Sequence, residues 1–121
     1  MDRLRALERL EHILDAISAI EGFVTGLDLG AYRANRLVRD AVERNMERLS
    51  EASRHIPHEF KETRPEIDWR GVADIGNVLR HAYTQVIDHE IWTTVKRDLP
   101  PLAAAVSSMI ERLRAKEDAS P

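Results

Sequence analysis

Four residues recur at helical spacing along the stretch Trp69–Tyr83 and carry ionisable or hydrogen-bonding groups: Arg70, Asp74, Asn77 and His81. At about 100° per residue they fall along one side of a helix. Trp69, Val72, Ile75, Leu79 and Ala82 take the opposite side, which predicts a buried core helix with one polar stripe. His81 is the distinctive member, because an unperturbed imidazole titrates at about pH 6.5 and serves as acid or base near neutrality. Asn77, one turn earlier, could orient that ring or hold a phosphate oxygen. Arg80 keeps its charge at any pH and suits a phosphate or a charged transition state. Metal-free RNA cleavage needs such parts: a group to move the 2′-hydroxyl proton and a group to neutralise the phosphate. The same stripe also fits a solvated face with an Arg70–Asp74 ion pair, and spacing alone does not choose.

The elements that must hold this stretch are helical throughout. From Asp2 to about Thr25, Leu4, Leu7, Leu10, Leu14, Ile17, Ile20 and Val24 form an apolar stripe among charged residues. Gly26 supplies a stop, and Asp28 is placed to cap a second helix running to about Arg54. Its inner side is expected to carry Tyr32, Leu37, Val38, Ala41, Val42, Met46, Leu49 and Ala52. A short link makes these two helices antiparallel neighbours. His55 to Asp68 holds two prolines and no periodicity, so it reads as a loop with room for one short helical turn. Asp68 caps the central helix, Asp88 is expected to cap a short helix carrying Ile91, Trp92 and Val95, and Asp98 to open the last one. Prolines at 100 and 101 are tolerated in a first helical turn. The expected fold is all-α: one domain over 1–121, an antiparallel bundle of four main helices plus a short fifth.

Composition sets outer limits. The 121 residues are 43% apolar and 32% charged, enough for one core built from aliphatic side chains, since aromatics are only 5%. Cysteine is absent, which excludes thiolate metal sites and disulfides. No secretory signal and no apolar run of about 20 residues is visible, so a cytoplasmic location without membrane contact is expected. A net charge of −3 does not favour nucleic acid, so any RNA contact requires a local basic patch.

Other histidines carry weaker signals. His55 and His58 stand three apart in the Pro-containing loop beside Glu59, without an evident third metal ligand. His12 lies on a charged helix face and His89 at an expected helix start. Trp69 and Trp92 read as packing anchors. No metal or cofactor site is expected.

The run from Trp69, Arg70, Val72, Ile75, Asn77, Leu79 and His81 to Tyr83, followed by Asp88 and then Asp98, Leu99, Pro100 and Leu102, resembles the HepT-like toxin family of the HEPN superfamily. Ser50, Glu51 and Ala52 sit where that family often has Gly-Glu-Ala. The resemblance implies a dimeric helical endoribonuclease, the toxin of a type VII-like toxin–antitoxin pair. It implies a nucleotidyltransferase antitoxin of the MntA type that attaches AMP to the tyrosine two residues after the motif histidine, here Tyr83. By residue pattern alone Tyr83 reads as a core residue, on the same side as Val72 and Leu79; the resemblance instead sets its hydroxyl beside His81. The family's catalytic histidine maps to His81 and its polar residue to Asn77.

One departure stands out. The usual motif arginine falls on Gly76. Arg80 is one turn later, and helical side chains lean toward the N-terminus, so its guanidinium could reach the surface that Gly76 leaves free. The competing reading is a degraded site, a HEPN module that binds a nucleotidyltransferase without cleaving. A plain structural bundle is a third possibility.

Overall fold

A computed structural model describes residues 2–81 and 84–118. Within them the chain is all-α and HEPN-like, with no strand. Its helices are α1 (Asp2–Val24), α2 (Leu29–Ala34), α3 (Arg36–Arg54), α4 (His58–Lys61), α5 (Trp69–His81), α6 (Thr84–Thr93) and α7 (Leu99–Asp118). Four of them are long and one, α4, is the single short turn allowed for in the 55–68 loop.

The core lies where α1 is clasped between α3 and α7. Because α1 has a partner on two sides, its buried surface is wider than one stripe and includes Ala6, Ile13 and Ala16 beside Leu10, Ile17 and Ile20. Leu4, at the free end, is 47% exposed. From α3 come Val42, Met46 and Leu49, and from α7 Leu102, Val106 and Ile110. Each such fully buried aliphatic side chain contributes about 1.5–3 kcal/mol relative to exposure. Gly26 closes α1 at φ 78°, a left-handed conformation that glycine takes without a Cβ penalty. Asp28 caps α2 as expected, accepting from the Ala31 N–H at 2.8 Å.

Three boundaries differ from the sequence reading. The second helix is broken at Asn35, whose backbone N–H closes α2 on Tyr32 while its side chain accepts from Val38 N–H to open α3. The break changes the phase, so Tyr32 is fully buried whereas Leu37, expected inside, is 80% exposed. Asp88 is not a cap; it lies inside α6 and is buried. Asp98 does not open a helix either. Residues Thr94–Asp98 form a π-helical turn that carries α6 into α7 without a break, the Leu99 N–H reaching back to Thr94 C=O. Pro100 and Pro101 lack N–H groups and crowd the carbonyls four residues earlier, and the wider turn makes room for them. The Asp98 carboxylate is taken by Arg97 at 2.9 Å.

The central helix α5 is also less deeply set than expected. Asp68 caps it through Gly71 N–H at 3.0 Å, and the Trp69 indole donates to Arg64 C=O at 3.2 Å. Beyond that it packs on α3, and Gly76 is its only fully buried residue. Val72, Ile75 and Leu79 are half-buried, because Val72 and Ile75 border an open cleft of about 830 Å³ against Leu99, Leu102 and Ala105. Ala82 and Tyr83 lie outside the described residues.

Candidate functional site: an arginine groove between α1, α3 and α5

The crossing of α3 and α5 fixes the site. Ser50 of α3 donates its hydroxyl to Ala73 C=O at 3.0 Å and accepts the Gly76 N–H at 3.3 Å. Arg54 adds two bonds to the same carbonyl, from Nε at 3.1 Å and Nη2 at 2.7 Å. Small side chains at 50, 73 and 76 let the two helices meet closely.

Above this crossing Gly76 leaves open space, and Arg80 fills it. The Arg80 Nη1 lies 3.4 Å from where a Cβ on residue 76 would stand, with Ser50 Oγ at 3.8 Å. A long side chain one turn later thus leans back over the missing one, as helix geometry dictates.

Arg80 and Gly76 form one wall of a groove of about 530 Å³. Arg9, His12 and Asp15 of α1 form the facing wall, and Arg44, Arg48 and Glu51 of α3 line it between them. Five arginines meet three carboxylates here, those of Asp15, Glu47 and Glu51, so the groove is positive in a chain of net charge −3. The arginines are unequally engaged. Arg54 is tied to Ala73, and Arg44 approaches Glu47 at 3.5 Å. Glu51 is taken by His55 at 2.9 Å, and that hydrogen bond holds its carboxyl below the ordinary value. Arg9, Arg48 and Arg80 have no ion pair or hydrogen-bonding partner among the described residues.

Of the residues singled out in the sequence, Arg80 lines this groove. Asn77 and His81 are exposed and do not line it. The Asn77 amide makes a long contact of 3.4 Å to Asp74, and Arg70 forms no ion pair with Asp74. Tyr83 is outside the described residues. His55 and His58 each face a glutamate four residues away, Glu51 at 2.9 Å and Glu62 at 2.8 Å. Arg9, Arg44 and Arg48 were not marked by sequence reasoning, and His12 was read there as a residue of a charged helix face without partners at ligand spacing. One signal was available: Arg44 and Arg48 are like charges at i,i+4, a pair that costs helix stability unless an anion offsets it.

An all-α HEPN-like chain with a cationic groove at the α3–α5 crossing is a framework suited to a polyanion. The sequence profile of the HepT-like ribonucleases matches residues 13–109, and the chain belongs to that family. A protein named "Probable ribonuclease HepT" from Thermococcus cleftensis is 40% identical over 93 residues, 77% of this chain and 84% of that one. The "Putative RNase MJ1380" of Methanocaldococcus jannaschii is 31% identical over 97 residues, 80% of this chain and 89% of its own. No solved structure gives a significant match.

Proposed function

We propose that this protein is a metal-independent endoribonuclease of the HepT type, the toxin of a type VII-like pair, acting as a homodimer. The observation that carries this reading is the Arg80 guanidinium seated over Gly76, where the family's motif arginine would begin, in a groove of further arginines. Arg80 neutralises the scissile phosphate. His81, the next residue, accepts the 2′-hydroxyl proton as the 2′-oxygen attacks phosphorus and the bond to the 5′-oxygen breaks. A protonated imidazole returns a proton to that leaving oxygen, giving a 2′,3′-cyclic phosphate and a 5′-hydroxyl. Asn77 holds the imidazole or a phosphate oxygen. A MntA-type nucleotidyltransferase silences the enzyme by attaching AMP to Tyr83. The proposed site of action is the cytoplasm, where its RNA substrate would be met; no helix among the described residues is long and apolar enough to cross a membrane.

Purified protein incubated with RNA in the presence of a chelator tests this. Cleavage is expected, with Arg80→Ala and His81→Ala each losing about 10²-fold or more, the usual scale for one proton-transfer or charge-stabilising group. Equal cleavage by the variants, or none by the native chain, overturns it.

A second reading is favoured by Gly76 itself and by the absence of His81 from the groove lining. On that reading the chain is an inactive HEPN module that still binds a nucleotidyltransferase. Complex formation with such a partner, without RNA cleavage by the free protein, would establish it.

A further inference from the structure

Arg9, Arg48 and Arg80 come from three different helices, α1, α3 and α5, and reach one groove with no carboxylate bound to any of them. Nothing in local helix geometry accounts for that. Residues on separate helices meet only through packing, and the groove's carboxylates make no ion pair with these three guanidinium groups, although Arg9 is near enough to Glu51 to help hold its carboxyl down. The neighbouring arginines differ, since Arg54 and Arg44 are spent on Ala73 and Glu47. The groove is concave and about 530 Å³, whereas the phosphates of a duplex lie on a convex surface. A single strand can lay its backbone into such a hollow. Planar guanidinium forks suit phosphate oxygens better than an ammonium does.

We infer that α1 and α3 complete the substrate site: Arg9 and Arg48 hold the backbone phosphates of single-stranded RNA on either side of the one bound by Arg80. The inference rests on the ribonuclease reading for its choice of polymer, but binding and cleavage are separable. His12 of α1 lines the same groove.

The test uses the full-length protein and a fluorescent 2′-O-methyl RNA oligonucleotide, which has no free 2′-hydroxyl and cannot be cleaved by internal attack. Binding is followed by anisotropy across a salt series. Each phosphate of a single strand that a cation neutralises adds about 0.7 to the steepness of log K against log salt. Arg9→Gln and Arg48→Gln are each expected to flatten the slope by that amount, and the double variant by about twice it. Arg36→Gln, an exposed position paired with Asp40 outside the groove, is expected to change nothing. Arg9→Lys and Arg48→Lys keep the charge and are expected to retain the slope with weaker affinity, which separates removal of a cation from misfolding. Native slope and affinity in both Gln variants, or no binding by the native protein, overturns the inference. Unmodified RNA is assayed for cleavage in parallel: binding without cleavage removes the nuclease reading and leaves the groove, while cleavage with undisturbed binding by the Gln variants does the reverse.

Discussion

At the scale of single residues, the costliest groups lie away from the groove. Tyr32 is fully buried against Trp92, ring centres 5.4 Å apart, and its hydroxyl has no hydrogen-bond partner among the described residues. Burial first, then the carboxylates of Glu43 and Asp88, push its ionisation well above the ordinary range. Glu43 is raised in the same way, by burial and then by Asp40 and Asp88. The sign for stability follows. A carboxyl that holds its proton more tightly when folded favours the fold at low pH, and that contribution is lost as pH rises through its folded value. At neutral pH Glu43 is therefore a burden. Glu43→Gln is expected to raise the thermal midpoint at pH 7, and the gain should close below about pH 4, where glutamate in the unfolded chain is itself protonated. Melting curves across pH 3.5–7.5 check this. A gain that is constant with pH would mean that packing, not charge, is responsible.

At the scale of elements, the α3–α5 crossing joins stability to the site. Gly76 is an ordinary helical residue in φ, so glycine there costs about 0.5–1 kcal/mol relative to alanine. An added Cβ would meet Ser50 Oγ at 3.8 Å, an ordinary contact, and the tip of Arg80 at 3.4 Å, which must give slightly. Gly76→Ala is expected to stabilise the fold by about that 0.5–1 kcal/mol while weakening RNA binding, because the guanidinium is displaced from its seat. Thermal melts and anisotropy on one preparation read both effects. A loss of stability instead would show that the crossing cannot widen.

Much of this layer was legible in sequence. The stripes of α1 and α3 apart from Leu4 and Leu37, the Gly26 stop and the Asp28 and Asp68 caps all follow from local chemistry. The break at Asn35 was not, since asparagine inside an apolar period carries no obligatory stop. The π turn hid because Asp-Leu-Pro-Pro reads equally as a helix start. Periodicity identified α5 and its faces, yet it reports only which side is apolar, not what covers it. For that reason Val72 and Ile75 proved half-buried beside a cleft. Arg80 was foreseeable because residues 76 and 80 belong to one helix. Arg9 and Arg48 were not, since only the packing of α1 on α3 brings positions 39 residues apart to one groove.

At the scale of the whole molecule, a negative chain brings three unpaired arginines into one hollow, while the histidine proposed for proton transfer stands just outside it. Arg80 and His81 are neighbours in sequence but about 100° apart around α5. One protomer therefore presents its guanidinium to the groove and its imidazole past the groove's edge. A two-fold axis near the end of α5 would resolve this by setting the imidazole of one subunit beside the guanidinium of the other. Mixing two inactive variants decides between sites built within and across subunits. If each site lies within one subunit, dimers of Arg80→Ala with His81→Ala contain two broken sites and remain inactive. If each site draws Arg80 from one subunit and His81 from the other, the mixed dimer has one site with both residues intact and one lacking both. Random exchange makes about half the dimers mixed, each with one of two sites restored, so about a quarter of native cleavage is expected. Recovery near that level supports the shared site, and the native mass in solution should then be that of two chains. No recovery after verified subunit exchange would place the chemistry within a single subunit, and a monomer at working concentration would do the same.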